Sequence, residues 1–109
     1  MKEKILINAR IIDPSQNMDE KGSVIINEHG KIKDIGSNVK ITDSSSAEII
    51  DLKNNILIPG IVDMKAFVGE PGYEYKENFR TLSQAALAGG VTSIVTMPNT
   101  NPIIDNVSM

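Results

Sequence analysis

Residues 59–68 read PGIVDMKAFV, a proline-glycine pair followed by a run that is mostly apolar at both odd and even positions. Apolar side chains of both parities predict a β-strand that is buried on both faces, as in a parallel sheet covered by helices. The hydrophobic pattern of the chain changes at this predicted strand, residues 61–68. We therefore expect regions of different architecture before and after residue 59.

A helix and a second strand follow the first strand. The predicted helix, residues 77–88, carries apolar side chains on one face at spacings of three and four: Phe79, Leu82 and Ala86. The pair Gly89-Gly90 suits a left-handed C-cap, and residues 91–97 form a β-branched run that ends before a proline. Strand, helix and strand in this order predict a βαβ unit, whose two parallel strands need further strands at their edges.

Short strands dominate the chain before residue 59. Strand-like runs lie at residues 5–12, 23–27, 32–35, 48–51 and 55–58. Gly30 supplies a turn between the second and third runs, which predicts a hairpin, and Asn54-Asn55 marks a later turn. We expect the first three runs to form a small antiparallel sheet, followed by a polar linker at Ser44-Ser45-Ser46.

The predicted elements do not complete a domain. One βαβ unit beside a small sheet leaves apolar strand edges without partners, and such edges favour pairing with another chain. We therefore expect this chain to be a fragment of a longer protein or a component of an assembly, in preference to a self-sufficient domain.

Charge and composition exclude several classes of function. The net charge of -3 and the pI of about 5.0 argue against nucleic acid or acidic lipid as a partner. No apolar run reaches the roughly 20 residues that cross a bilayer, and no signal-peptide pattern opens the chain, so we expect a cytoplasmic protein with no membrane partner. Without cysteine, and with His29 as its one histidine, the chain itself holds no disulfide, thiolate zinc site or multi-histidine metal site. His29 stands in a predicted turn and is assigned no role.

Motifs spread over nearly the whole chain resemble the dihydroorotase family of the amidohydrolase superfamily. They are NARIID at 8–13, IPGIVDM at 58–64, EPG at 70–72, AGGVT at 88–92 and MPNTNP at 97–102. The Glu-Pro-Gly turn followed by Met-Pro-Asn-Thr separates dihydroorotases from hydantoinases, and more weakly from allantoinases. The chain resembles an N-terminal fragment of this family, of the kind that lacks the metal-binding histidines of the first strand.

The resemblance implies an α/β fold, a metal-dependent-hydrolase (β/α)8 barrel preceded by a small β-sandwich segment. Residues 1–58 would supply the N-terminal part of the small β-sandwich, and residues 59–109 the first βαβ unit of an incomplete barrel. A complete barrel takes about 250 residues. Most of the barrel would therefore lie outside this chain, and the chain alone would be inactive.

The resemblance also implies a chemistry, the zinc-dependent hydrolysis of the cyclic amide of dihydroorotate to N-carbamoyl-aspartate. In the family the first barrel strand ends His-x-His-x-Arg, with two metal ligands and an arginine that pairs with the substrate carboxylate. The corresponding residues here are Lys65, Phe67 and Gly69. A protonated lysine has only donors, phenylalanine has no lone pair and glycine has no side chain. Asn99 alone matches a family site residue, the asparagine that helps to bind the substrate carboxylate.

Three interpretations stay open. In the first, the protein is a non-catalytic dihydroorotase homologue of pyrimidine biosynthesis that binds no zinc at this strand and associates with aspartate transcarbamoylase, as some family members do. In the second, it is an active amidohydrolase that acts on dihydroorotate with a single zinc held by ligands beyond residue 109. In the third, it is a structural or interaction module with no inherited pocket. The family fold makes the rest of the barrel a partner of this chain, and we expect an oligomer.

The strand end carries further expectations. Asp63 and Lys65, two residues apart on a strand, point to one side, which predicts an ion pair between them. If the barrel keeps the family geometry, Lys65→His, Phe67→His and Gly69→Arg together should raise the affinity for zinc. Phe67→Ala should destabilise the fold by about 3 kcal/mol if the ring fills the former metal cavity, and by little if the ring is exposed.

Overall fold

The computed structural model describes residues 1–41 and 46–107. The chain divides into two compact units, Met1–Pro59 and Gly60–Met109, one residue beyond the boundary predicted from the sequence. Ser44 and Ser45 of the predicted linker lie outside the described residues. Within the described ranges, no helix is long and apolar enough to cross a membrane.

The first unit is a five-stranded sheet. Its strands are β1 (Lys4–Asp13), β2 (Met18–Ile26), β3 (Ile32–Gly36), β4 (Glu48–Asp51) and β5 (Ile56–Leu57). The strand order is β3-β2-β1-β4, and β5 also pairs with β1. β2 lies antiparallel to both β1 and β3, which confirms the predicted hairpin, whereas β4 and β5 run parallel to β1. Two parallel strands thus extend the predicted antiparallel sheet.

Alternation along β1 and β2 builds the core of the first unit. Ala9, Ile11 and Val24 are almost fully buried and form one cluster. Partly buried apolar side chains pack around this cluster: Leu6, Met18, Ile26, Ile35, Leu52 and Leu57. On the exposed face the Arg10 guanidinium donates to both carboxylate oxygens of Asp19, at 3.0 and 2.9 Å, which lowers the pKa of Asp19. The apolar and polar faces fix the register of this strand pair.

The second unit contains the predicted βαβ unit. β6 (Ile61–Ala66) and β7 (Val91–Thr96) pair in parallel, and α1 (Phe79–Ala88) lies between them in the chain. α1 begins two residues later than predicted because Asn78 is its N-cap. The Asn78 side chain accepts a hydrogen bond from the backbone N–H of Thr81 at 2.9 Å, and the Thr81 hydroxyl accepts one from the backbone N–H of Asn78 at 3.1 Å. Gly90, with a φ of +83°, provides the predicted left-handed residue after the helix.

Two predictions about the strand after Gly60 are wrong. β6 ends at Ala66 and not at residue 68, because its partner β7 ends at Thr96, which pairs with Ala66. The strand is also not buried on both faces, since Ile61, Val62 and Met64 are 48%, 55% and 72% exposed. A pair of strands with one helix supplies too few neighbours to cover an apolar strand on both sides. The apolar pattern therefore predicts the strand correctly, but the described unit contains no elements that would bury both of its faces.

Candidate functional site

The residues predicted to form the site follow the carboxyl ends of β6 and β7. The backbone N–H of Met97 donates to the carbonyl oxygen of Ala66 at 2.8 Å, which continues the strand pairing past the last residue of β7. Lys65 and Phe67 flank Ala66, and Asn99 lies two residues after Met97. Ligands of α/β sheets collect at this end of parallel strands. The topology thus brings the predicted positions to one edge of the second unit.

An irregularity in β6 lies directly before Lys65. Asp63 pairs with Ile94 and Ala66 with Thr96, so three residue steps of β6 face two steps of β7. At this bulge the Asp63 carboxylate accepts a hydrogen bond from the backbone N–H of Lys65 at 3.0 Å. A bulge interrupts the alternation of side chains on which the predicted ion pair depended. Within the described residues Asp63 binds the backbone of Lys65 and no ion pair joins the two side chains, so that prediction is wrong.

Phe67 belongs to an aromatic cluster formed with the following loop. Its ring lies 6.4 Å from the ring of Tyr73, at an interplanar angle of 50°. The Lys76 ammonium lies 5.5 Å from the centre of the Tyr73 ring and 5.6 Å from that of Tyr75, which is a cation–π arrangement. Phe67 remains 39% exposed. The Phe67 ring therefore helps to hold this loop.

Gly69 is fixed by the backbone around it. Its φ of +76° lies in the left-handed region that side chains disfavour. A Cβ at this position would lie 2.5 Å from the carbonyl oxygen of Glu77 and 3.0 Å from that of Tyr73. The Gly69 carbonyl oxygen itself accepts a hydrogen bond from the backbone N–H of Tyr73 at 2.7 Å. An arginine at Gly69 would therefore have to displace this loop, and the combined effect of Lys65→His, Phe67→His and Gly69→Arg on zinc affinity stays a prediction.

Glu70 connects the same loop to the start of α1. Its carboxylate accepts a hydrogen bond from the backbone N–H of Phe79 at 3.1 Å, one of the N–H groups that a helix start leaves free. A negative charge at this end of a helix is also favoured by the helix dipole. Glu70 thus positions the loop and the helix relative to each other within the second unit.

The loop that carries Asn99 is anchored by its neighbours. Asn99 is exposed, whereas Thr100 is only 5% exposed. The Thr100 hydroxyl donates to the carbonyl oxygen of Pro102 at 2.8 Å, and the backbone N–H of Asn101 donates to the carbonyl oxygen of Pro71 at 3.0 Å. Sequence reasoning assigned no role to Thr100 or Asn101. Their place in the motif at residues 97–102 was the one feature of the sequence that could have indicated a role for them.

The side chains at the end of β6 do not fit the metal that the family resemblance implies. Lys65 offers a cation and Phe67 an apolar ring where the resemblance implies imidazoles. Over the described ranges, no three histidine, cysteine, aspartate or glutamate side chains come together in a group that could hold a metal ion. His29, the one histidine, is exposed in the first unit and lies 3.6 Å from Glu28. No step of metal chemistry can be assigned to these residues.

Comparison with known proteins places the chain beside dihydroorotases. Residues 54–108 match the family described as Dihydro-orotase-like. The chain is 48% identical over 104 residues to the dihydroorotase of Syntrophus aciditrophicus and 44% identical over 109 residues to that of Aquifex aeolicus. These matches cover 94% and 100% of the chain but only 24% and 25% of the two relatives, so the chain spans about a quarter of their length.

A solved structure supports the fold. The L-hydantoinase (dihydropyrimidinase) of Arthrobacter aurescens superposes with a TM-score of 0.82 at 23% sequence identity. The superposition covers 99% of the present chain and 23% of the hydantoinase. The α/β fold of the chain is therefore that of the corresponding part of this hydantoinase.

The packing around Gly69 predicts that Gly69→Ala is destabilising beyond the effect of backbone strain. Gly90 is the matched control, because its φ of +83° is similar and no atom lies within 4 Å of a Cβ built there. We expect Gly69→Ala to lower the free energy of unfolding of the complete protein by about 2 kcal/mol more than Gly90→Ala does, because it adds a steric conflict to the same strain. Urea unfolding of the two variants measures this difference, and equal losses would contradict the packing described here.

The Phe67 ring is partly exposed and packs on Tyr73. We therefore expect Phe67→Ala to lower the free energy of unfolding by about 1 kcal/mol, instead of the about 3 kcal/mol expected for a ring that fills a cavity. A double-mutant cycle of Phe67→Ala and Tyr73→Ala should show a coupling of about 0.5–1.5 kcal/mol in thermal or urea unfolding. The cycle of Phe67→Ala with Tyr75→Ala serves as control and should be additive, since among the described residues the ring contact of Phe67 is with Tyr73 and not with Tyr75. Additivity in both cycles would show that the Phe67 ring has no partner in this loop.

Proposed function

Because this chain belongs to the dihydroorotase-like family, we propose that it is part of a dihydroorotase-like protein of pyrimidine biosynthesis whose first barrel strand binds no metal. Its second unit would contribute the first two strands of a (β/α)8 barrel, and its first unit would contribute to a small β-sandwich. A cytoplasmic location belongs to the same proposal. The half-exposed apolar side chains of β6 support the barrel, since the neighbouring strands and helices of a barrel would cover them.

One combination of residues carries the proposal: the loop with the asparagine of the family motif is present, whereas the two histidines of the family's first barrel strand are absent. Asn99 stands in an anchored loop at the carboxyl end of β7, where an amide N–H can donate to a carboxylate. Lys65 and Phe67, at the end of the neighbouring strand, replace the two family ligands and cannot bind zinc in their place. A pocket that retains a carboxylate-binding group without this metal site would bind dihydroorotate and not hydrolyse it.

A protein that binds dihydroorotate without hydrolysing it could act as a non-catalytic partner of another enzyme. The resemblance to family members that act as scaffolds supports association of the complete protein with aspartate transcarbamoylase. The competing interpretation is an active amidohydrolase whose single zinc is held by ligands beyond residue 109.

An assay of dihydroorotate hydrolysis separates these functions. The complete protein should show no turnover with zinc supplied, either alone or with aspartate transcarbamoylase, and should coelute with the transferase in size-exclusion chromatography. The elemental analysis of the purified protein should give less than one zinc per chain. Turnover by the protein alone would establish the single-zinc enzyme and contradict the non-catalytic function.

A pair of asparagine variants tests the binding pocket. Asn99→Ala should weaken the binding of dihydroorotate by about tenfold to a hundredfold, the range expected when one hydrogen bond to a charged group is lost. Asn55→Ala, at an exposed turn of the first unit, is the matched control and should bind as the wild type does. Binding is measured by calorimetry in the presence of EDTA. Equal affinities of Asn99→Ala and the wild type would remove Asn99 from the site.

A further inference from the structure

The loop that carries Asn99 is tied to the chain after β6 on both sides. Before Asn99, the backbone N–H of Met97 donates to the carbonyl oxygen of Ala66 at 2.8 Å. After it, the backbone N–H of Asn101 donates to the carbonyl oxygen of Pro71 at 3.0 Å. Asn99 lies midway between these two hydrogen bonds, so its position depends on both.

The short segment between Asn99 and the second hydrogen bond is itself constrained. Thr100 is 5% exposed, and its backbone N–H donates to the carbonyl oxygen of Pro98 at 2.8 Å. Its hydroxyl donates to the carbonyl oxygen of Pro102, also at 2.8 Å. A buried residue with both donors satisfied has little freedom to rearrange. A displacement of Asn101 is therefore transmitted through Thr100 to Asn99.

Gly72 is the residue that permits the close approach of Asn101. Its φ is +100°, and a Cβ placed on it would collide with the backbone oxygen of Asn101 and lie 2.8 Å from the Asn101 Cβ. The backbone N–H of Gly72 donates to the Glu74 carboxylate at 3.0 Å, which lowers the pKa of Glu74 and holds the turn in place. No other residue type leaves room for Asn101 at this conformation.

We propose that Gly72 is a positioning residue for ligand binding: the absence of a side chain lets the Glu-Pro-Gly turn hold Asn101, and this contact sets where Asn99 presents its amide to a ligand carboxylate. The inference rests on the proposed function, because it takes Asn99 as the carboxylate-binding group. It adds a role for the turn of residues 70–72, which the metal chemistry of the family does not require.

Calorimetric titration of the complete protein with dihydroorotate in EDTA tests this role. Gly72→Ala should weaken binding by about tenfold to a hundredfold, as Asn99→Ala does, because it moves the same hydrogen-bond donor. The double variant should bind no more weakly than Asn99→Ala alone, because the amide that Gly72 positions is already absent from that variant. Such coupling identifies positioning, because a purely structural defect would weaken binding by the same factor in either background.

Two further variants guard against a general loss of stability. Gly90→Ala introduces a side chain at a similar positive φ in the same unit but with nothing within 4 Å, so it should lower the melting temperature and leave the affinity within about twofold. Thr100→Val removes the buried hydroxyl while keeping the backbone and side-chain shape, and should weaken binding by about threefold to tenfold. It also tests the loop if Gly72→Ala fails to fold.

The outcomes separate this inference from the proposed function. If the wild type binds dihydroorotate and Gly72→Ala binds it equally well, or if the effects of Gly72→Ala and Asn99→Ala simply multiply, the positioning role is wrong and the proposed function stands. If Gly72→Ala does not fold and Thr100→Val binds as the wild type does, the positioning role is likewise wrong. If the wild type itself does not bind, the pocket is absent and both fail together.

Discussion

The hydrogen bond from the Met97 backbone to Ala66 extends the parallel pairing of β6 and β7 beyond the strands themselves, and the arrangement of the candidate site depends on this pairing. Parallel strands expose their carboxyl ends at one edge of a sheet, so the segments after Ala66 and after Thr96 must begin side by side. The second contact, between Asn101 and Pro71, closes the two segments into one unit. The two segments are thus joined by backbone hydrogen bonds, and the Thr100 hydroxyl adds a side-chain contact within the second segment.

This organisation explains how the segment that follows β6 holds its shape. Gly69 and Gly72 allow close backbone contacts on either side of Glu70, which in turn binds the start of α1. Phe67 packs on Tyr73, and Lys76 lies over two tyrosine rings of the same loop. The conformation of Gly69 disfavours a side chain at that position. Phe67 and Gly69 therefore both belong to the conformation of this loop, and a change at either position would disturb it.

The sequence predicted the element order, because hydrophobic periodicity and glycine positions depend only on local residues. The run 48–51 coincides with β4, and Gly90 adopts the left-handed conformation expected after the helix. The burial of β6 could not be predicted, since it depends on neighbours that the described unit does not contain. The bulge at Asp63 was equally hidden, because a side chain that captures a backbone N–H leaves no periodic signal. Motifs over nearly the whole chain, from residues 8–13 to residues 97–102, indicate the family, whereas the roles of Asn99 and Lys65 stay predictions.

We propose that the candidate site is held in shape by backbone contacts rather than by a metal ion. The most direct measurement is the affinity of the complete protein for dihydroorotate, determined by calorimetry once in excess EDTA and once with zinc supplied. The account predicts the same dissociation constant in both conditions. Binding that appears only with zinc would contradict it, because a metal held elsewhere in the protein would then be needed to form the pocket.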